Sequence, residues 1–284
     1  MAATSCERGV AIVALGLVKT ACEAVDLIER NGKAIKLIAT TGCSMVEATA
    51  SLDACNGDSV QAQRFLATQS AELDALRGLK KHQLSALKYV AERAREQSEI
   101  ALPVLRARWT KEKLDEVCSV ERMLTYIRDE AQLIVHINLN KVLKFLVKDT
   151  HYRNQFETKT SGGTLSTKTR TQWENRLFNK HYNKSRAFDR PKYGVCNVVQ
   201  DVEGIKSCSQ YGRSYMVLKH VRLRTTFSDK DSGHKDALLA TCQHYAHVLN
   251  TYSKKELSAV ADVASGAKKW GCKSSMITKY KEVQ

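Results

Sequence analysis

Proline is nearly missing from this chain, with only Pro103 and Pro191 in 284 residues. Little therefore interrupts the stretch 10–131, which is rich in Ala, Leu, Glu, Lys and Arg and favours helix. Cys-x-x-Cys pairs are absent, although nine cysteines are scattered along the chain. An odd, dispersed set in a chain of this length points to free thiols and a reducing compartment, so an intracellular, cytoplasmic or nuclear setting is expected. No apolar run is long enough to span a bilayer; the longest, Gly9 to Val18, reads as a core helix. A secretory leader is not indicated, because the residues before that run carry one Glu and one Arg rather than a basic cluster. Phosphate-loop, His-Glu-x-x-His and Gly-x-Ser-x-Gly patterns are all lacking, which removes the commonest nucleotide-hydrolysing, metalloprotease and serine-hydrolase readings. Cys242 and His244 are two apart on a helical stretch and diverge, so with His247 they make a poor zinc set and no metal site is expected.

Acidic residues are in deficit, 30 against 45 basic ones, and the imbalance is uneven. Residues 1–70 carry six basic and seven acidic side chains, a net of −1, so 71–284 hold the remaining +16 of the +15 total. Within 136–192 there are thirteen basic and four acidic residues. Two modules with different partners are implied, and the basic one suits a polyanion such as nucleic acid or a phosphate-bearing ligand.

The chain reads as α+β. Helix-favouring composition gives way near residue 132 to Tyr, Val, Thr and Phe in period-two alternation. Three regions are expected: a helical region 1–70, an amphipathic helical connector 71–131 divided at Pro103, and a mostly antiparallel, twisted, helix-poor sheet domain 132–284 with a cleft. The helical region repeats itself, with Gly16-Leu17, Glu23-Ala24 and Asn31-Gly32 recurring as Gly42-Cys43, Glu47-Ala48 and Asn56-Gly57. Asn-Gly readily takes positive φ and stops a helix. Asp58 is a good N-cap for a third helix that would carry Val60, Ala62, Phe65 and Leu66 inward.

In the sheet domain, 132–139 reads as a strand with Leu133, Val135, Ile137 and Leu139 on one face and Ile134, His136 and Asn138 on the other. A short helix 140–148 follows. The run His151-Tyr152-Arg153-Asn154-Gln155-Phe156-Glu157-Thr158, beside Thr160-Ser161-Gly162-Gly163, concentrates side chains that stack, clamp and hydrogen-bond on a flexible turn. A packed core rarely needs such a set; a polar ligand does. Arg170, Trp173, Glu174 and Phe178 fall on a further helix. Strands are expected at 195–199 and within 214–227.

Two resemblances add to this reading. Ala34 to Thr68, with Thr41-Gly42-Cys43, Glu47-Ala48, Leu52, Asn56-Gly57-Asp58 and Phe65-Leu66, resembles a ubiquitin-associated (UBA) domain. Ubiquitin or a ubiquitinated protein is the partner that likeness implies, bound through the 41–45 turn and the last helix; Thr41 and Cys43 stand where the family has larger apolar residues. Tyr152-Arg153-x-Gln155-Phe156-Glu157-Thr158, Trp173-Glu174, Arg190-Pro191-Lys192-Tyr193-Gly194, Arg224-Thr225-Thr226-Phe227 and Glu282-Val283-Gln284 together resemble an uncharacterised domain family of bacteria and eukaryotes.

The layout of those motifs is similar to that of the ADP-ribosyltransferases, glycosyl-transferring enzymes that use NAD as substrate. By that likeness His136 would hold a ribose hydroxyl and Tyr152 or Phe156 would stack on nicotinamide. Arg153 would face the pyrophosphate, with Gln155 and Thr158 completing the NAD-binding set. Glu282 would be the catalytic carboxylate, contacting the ribose 2′-OH and stabilising the positive charge that develops as the glycosidic bond breaks. This sequence has Ile137 where the transferases have Gly after the histidine. The likeness also implies a further strand after Glu-x-Gln, so either the 132–284 domain is truncated or its site is degenerate. A non-enzymatic module binding nucleic acid or ubiquitin is the alternative, separable by the steep salt dependence of phosphate-backbone binding.

Overall fold

Helix-forming composition and antiparallel alternation meet in a chain that divides into two compact units, Met1–Arg77 and Gly78–Gln284. The computed structural model describes residues 21–41, 45–54, 57–66, 76, 78–160, 166–268, 270–277 and 279–284. The apolar run Gly9–Val18, the Gly16-Leu17 turn, the Gly42-Cys43 turn and the Ser161-Gly162-Gly163 turn lie outside the described residues. None of the described helices is long and apolar enough to cross a membrane.

In the first unit, α1 (Ala21–Thr41) is kinked where Asn31 leaves helical geometry at φ −125°, ψ 25°. Helix α2 (Met45–Ala54) ends ahead of Gly57, which takes φ +76° and donates to the Leu52 carbonyl at 2.7 Å. Asp58 then caps α3 (59–66), its Oδ1 accepting from the Val60 and Gln61 amides at 2.9 and 3.0 Å. Ala34, Leu37, Ala48, Leu52, Ala62 and Leu66 form a small core. Val60 points outward instead of joining them, 61% exposed. The cap sets the phase: Ala62 and Leu66, four apart, share the buried stripe, and Val60 stands two positions before it on the opposite side.

In the second unit, α4 (Lys81–Lys111) runs through Pro103 without dividing there. Its buried side chains Ala86, Val90, Ala94 and Ser98 precede the proline, and Leu105 and Trp109 follow it. That near-continuous i, i+4 row packs on both sides of Pro103, enough to outweigh one lost backbone hydrogen bond. Helix α5 (Val120–Asp129) starts at Ser119, whose hydroxyl accepts from the Arg122 amide. These helices are built into the same core as the sheet: Trp109 donates to the Cys118 carbonyl at 2.7 Å, and Tyr126 donates to the Val198 carbonyl at 2.9 Å.

The sheet is antiparallel throughout and its strands are short: β1 (Gln132–Ile137), β2 (Gly194–Asn197), β3 (Ser214–Val217), β4 (Thr226–Ser228), β5 (Leu239–Thr241) and β6 (Lys281–Val283). Their order is β3-β1-β2-β6-β4-β5. Between β1 and β2 lie α6 (Leu139–Leu146), which has no buried residue, α7 (Gln155–Thr158) and α8 (Thr167–Leu177). After β5 come α9 (Ala246–Leu249) and α10 (Lys254–Ala264). The architecture is α+β, with more helix against the sheet than the alternation in the sequence suggests. One face packs on Met123, Tyr126, Ile127, Tyr245, Tyr252 and α10; the other carries Ile134, Val195, Ile205 and Cys208, ringed by Tyr211, Tyr215 and Tyr280. Cys118, Cys196, Cys208, Cys242 and Cys272 are free thiols.

Candidate active site

Strand register places the two most separated candidates on one face. Glu282 is opposite Val195, and Val195 is opposite Ile134, so the three form a row across β6, β2 and β1. His136 lies two residues along β1 from Ile134, on the same face and opposite Tyr215. Two strand spacings, about 10 Å across the sheet, and two residues, about 7 Å along the strand, therefore separate His136 from Glu282, roughly 12 Å in all.

Their environments differ. The His136 Nε2 accepts from the Ile205 amide at 2.9 Å, which fixes the proton on Nδ1, and Nδ1 donates to the Gly212 carbonyl at 2.9 Å. Both ring nitrogens are thus engaged by backbone. For this imidazole to hold a ribose hydroxyl, one of these bonds would have to open.

The Glu282 carboxyl is half-buried and accepts from the Ser232 amide at 2.6 Å. Its pKa is raised to about 7, chiefly by burial, with the Ser232 hydrogen bonds opposing the rise and the nearby Asp231 carboxylate adding to it. Asp231 itself accepts from the Tyr280 hydroxyl at 2.6 Å and from the Gly233 amide at 2.7 Å. The loop stays tight because position 233 is glycine: a Cβ there would lie 2.9 Å from Asp231 and 3.2 Å from Trp173.

The polar segment after α6 joins this cluster through its middle. Asn154 caps α7, accepting from the Phe156 and Glu157 amides, while Glu157 returns a bond to the Asn154 amide. The Asn154 carboxamide also donates to the Ala187 carbonyl at 2.6 Å, which pins the segment against 187–190. Phe156 is buried under the Arg190 guanidinium, 4.4 Å from its ring centre. Arg190 in turn donates to Glu174, which is fully buried. The Glu174 pKa is nevertheless raised to about 7, because burial outweighs the opposing pull of Arg190.

Helix α8 presents Arg170, Trp173, Glu174 and Leu177 at i, i+3, i+4 and i+7, one face of the helix. The Gln155 carboxamide abuts Arg170, and the amide orientation that satisfies both groups has its oxygen accepting from Nη1 and Nε at 2.8 and 3.2 Å. Arg170 lies against both the Trp173 and Tyr193 rings, 5.8 and 5.6 Å from their centres. Tyr193 stands between the two carboxyls: its phenol is pushed well above its ordinary value by burial and by the charges of Glu174 and Glu282. The Tyr193 hydroxyl and the Glu174 Oε1 are buried close to one another, and neither has a hydrogen-bond partner beyond the other among the described residues. Gln284, two residues beyond Glu282 on the same face, accepts from the Thr226 hydroxyl at 2.8 Å.

Gln155 and Phe156 are thus tied together through Arg170, Arg190, Glu174 and Tyr193, and Glu282 reaches that group only through the effect of its charge on the Tyr193 phenol. The other candidates sit at its edge. Arg153 is forked onto Asp149 at 2.8 and 3.0 Å, Thr158 bonds its own turn at the Asn154 carbonyl, and Tyr152 is partly buried. Asp231, Ser232 and Tyr280 were not singled out from sequence. The signals were present: an Asp-Ser-Gly turn, and an aromatic residue two before Glu282 on the same strand face.

A cavity of about 420 Å³ is lined by residues that include Asp229, Lys230, Asp236, Glu256 and Lys281. It opens on the other face of β6; Lys230 pairs with Asp229 and Asp236 and Lys281 with Glu256, while Lys279, which also lines it, has no ion pair among the described residues. His247 is likewise committed, to Ser98 and the Leu239 carbonyl. Among the described residues no three His, Cys, Asp or Glu side chains are grouped to hold a metal ion. Residues 135–276, half of the chain, match the family model described as "Protein of unknown function (DUF3626)"; Tyr280 and Glu282 lie just beyond the match. No curated protein matches the chain.

Proposed function

The chain belongs to the DUF3626 family, and on the geometry of its site we propose that it is an ADP-ribosyltransferase-like enzyme that takes NAD as substrate. The observation that carries this reading is a half-buried carboxyl, Glu282, oriented by the Ser232 amide beside a wall of Tyr193, Tyr280, Trp173 and arginine side chains. In the reaction the bond between ribose C1′ and the nicotinamide nitrogen breaks, and its electron pair neutralises the pyridinium. Positive charge builds on the ribose opposite the Glu282 carboxylate, which stabilises it. A nucleophile of a macromolecular acceptor, or water, then bonds to C1′ and releases its proton.

Gln155, Phe156, Arg170 and Tyr193 suit an aromatic, amide-bearing leaving group and a pyrophosphate. The Tyr193 hydroxyl and Glu174 oxygen, with no hydrogen-bond partner beyond each other among the described residues, offer polar atoms to a ligand that reaches them. Tyr152, Arg153, Thr158 and His136 belong to the proposed NAD-binding set at its margin. Because the carboxylate form is the active one, turnover should rise with pH through about 7.

Nicotinamide release from NAD tests the reading. Glu282→Gln should lower it by ~100-fold or more, the scale of a lost electrostatic group in the transition state, while NAD binding measured by calorimetry survives. Unaltered release in the variant removes the assignment. The excess of cations in 136–192 supports a second reading, a nucleic-acid-binding module, in which affinity rather than turnover falls steeply with salt. The UBA-like region is proposed to recruit ubiquitin, which titration of labelled ubiquitin into the full chain would read.

A further inference from the structure

On the outer side of α8, a second groove of about 190 Å³ is formed by Tyr89, Arg93 and Gln97 of α4, Arg176 and Leu177 of α8, and Lys235. Its charged lining is all of one sign. None of Arg93, Arg176 and Lys235 is ion-paired among the described residues, and no carboxylate lines the groove. Arg93 lies instead over the Tyr89 ring, 5.5 Å from its centre. Three unmatched cations converging on a small concave site repel one another, and a bound dianion relieves that repulsion.

Arg176 also reaches the active site through the backbone. Its Nη2 donates to the Ser232 and His234 carbonyls at 2.6 and 3.1 Å, while the same side chain lines the groove. Ser232 is the residue whose amide orients Glu282. One guanidinium therefore links the groove to the loop that holds the proposed catalytic carboxylate.

We propose that this groove binds a phosphate group and that Arg176 couples its occupancy to the loop that orients Glu282. The volume admits a phosphate with part of a sugar, not a whole dinucleotide, and none of the residues proposed to hold NAD lines the groove, so the two sites are separate. Phosphate binding stands without the transferase reading; only the meaning of the relay rests on it.

Calorimetric titration of the full chain with inorganic phosphate, adenosine monophosphate and acetate tests the first part. Saturable phosphate binding is expected, weakened at least roughly tenfold in Arg93→Gln/Lys235→Gln, with acetate showing none. Tighter binding of the nucleotide identifies a nucleotide phosphate as the occupant, and equal binding identifies free phosphate. No saturation in the wild type, or equal affinity in the double variant, overturns the site. The relay is read by amide resonances in the absence of NAD. Those of Ser232 and Gly233 should shift as phosphate fills the wild type. In Arg176→Lys, which keeps the charge but loses the planar fork, they should stay still while affinity holds within about threefold. Static Ser232 and Gly233 amides in the wild type, or equal shifts in Arg176→Lys, overturn the relay.

Discussion

Replacing Glu282 by Gln should make the protein more stable while removing its proposed activity, and the gain should depend on pH. Burial and Asp231 raise the Glu282 carboxyl from the ordinary 4.5 to about 7, so the folded state holds this proton more tightly than the unfolded chain does. Between those values the unfolded state binds fewer protons, and stability falls as pH rises. At 1.36 kcal/mol per pH unit, the difference amounts to about 3 kcal/mol once pH exceeds 7. Gln keeps the shape and can still accept from Ser232 without ionising. The variant should therefore match the wild type near pH 4.5 and exceed it by up to about 3 kcal/mol at alkaline pH. For a unit of this size that is a gain of roughly 6–12 °C in unfolding temperature. Thermal unfolding of both proteins across the pH range, with nicotinamide release measured on the same samples, gives the comparison. An unfolding difference independent of pH would refute the strained carboxylate, and with it the reason for placing chemistry there.

Other perturbations test the frame around the site. Arg190→Ala leaves Glu174 buried without its cation and should cost about 3–5 kcal/mol in denaturant unfolding, whereas the paired change Glu174→Leu/Arg190→Met should recover most of that loss. Trp109→Ala removes a fully buried ring and its bond to Cys118, and should cost about 3–5 kcal/mol in the same assay. Gly212→Ala should abolish folding of the second unit, seen as loss of soluble protein, because φ is +136° and a Cβ would lie 1.9 Å from the Ile137 carbonyl oxygen.

What was legible in the sequence was local. Asp58 announced a helix start by its side chain alone, and the alternation of Leu133, Val135 and Ile137 announced β1, because capping and pleating depend on neighbours within a few residues. Pro103 misled for the same reason. Its local effect is to break a helix, but Leu105 and Trp109 beyond it are buried against residues that only the tertiary fold supplies. The polar run 151–158 was visible as a cluster, yet its members part company in three dimensions. Gln155 and Phe156 turn inward because Asn154 caps the intervening turn, and Arg153 turns out to Asp149. Arg170, Tyr193 and Asp231 become site residues through pairings across 15 to 50 positions, which no periodicity reports.

Strand β6 shows how one short element serves both stability and chemistry. On one face Lys281 donates to Glu256 at 3.3 Å and lies 3.9 Å from the centre of the Tyr252 ring, and Val283 is buried opposite Phe227. On the other face Glu282 and Gln284 enter the site. A carboxyl that destabilises the fold when ionised is thus carried on a strand locked down by its own alternate residues. A one-residue slip of β6 would exchange the two sets, bringing Lys281 to Ser232 and leaving Glu256 without its cation. The pairing that keeps the core intact is therefore the same pairing that sets Glu282 in its row with Val195 and Ile134, so the register of β6 cannot drift without losing both.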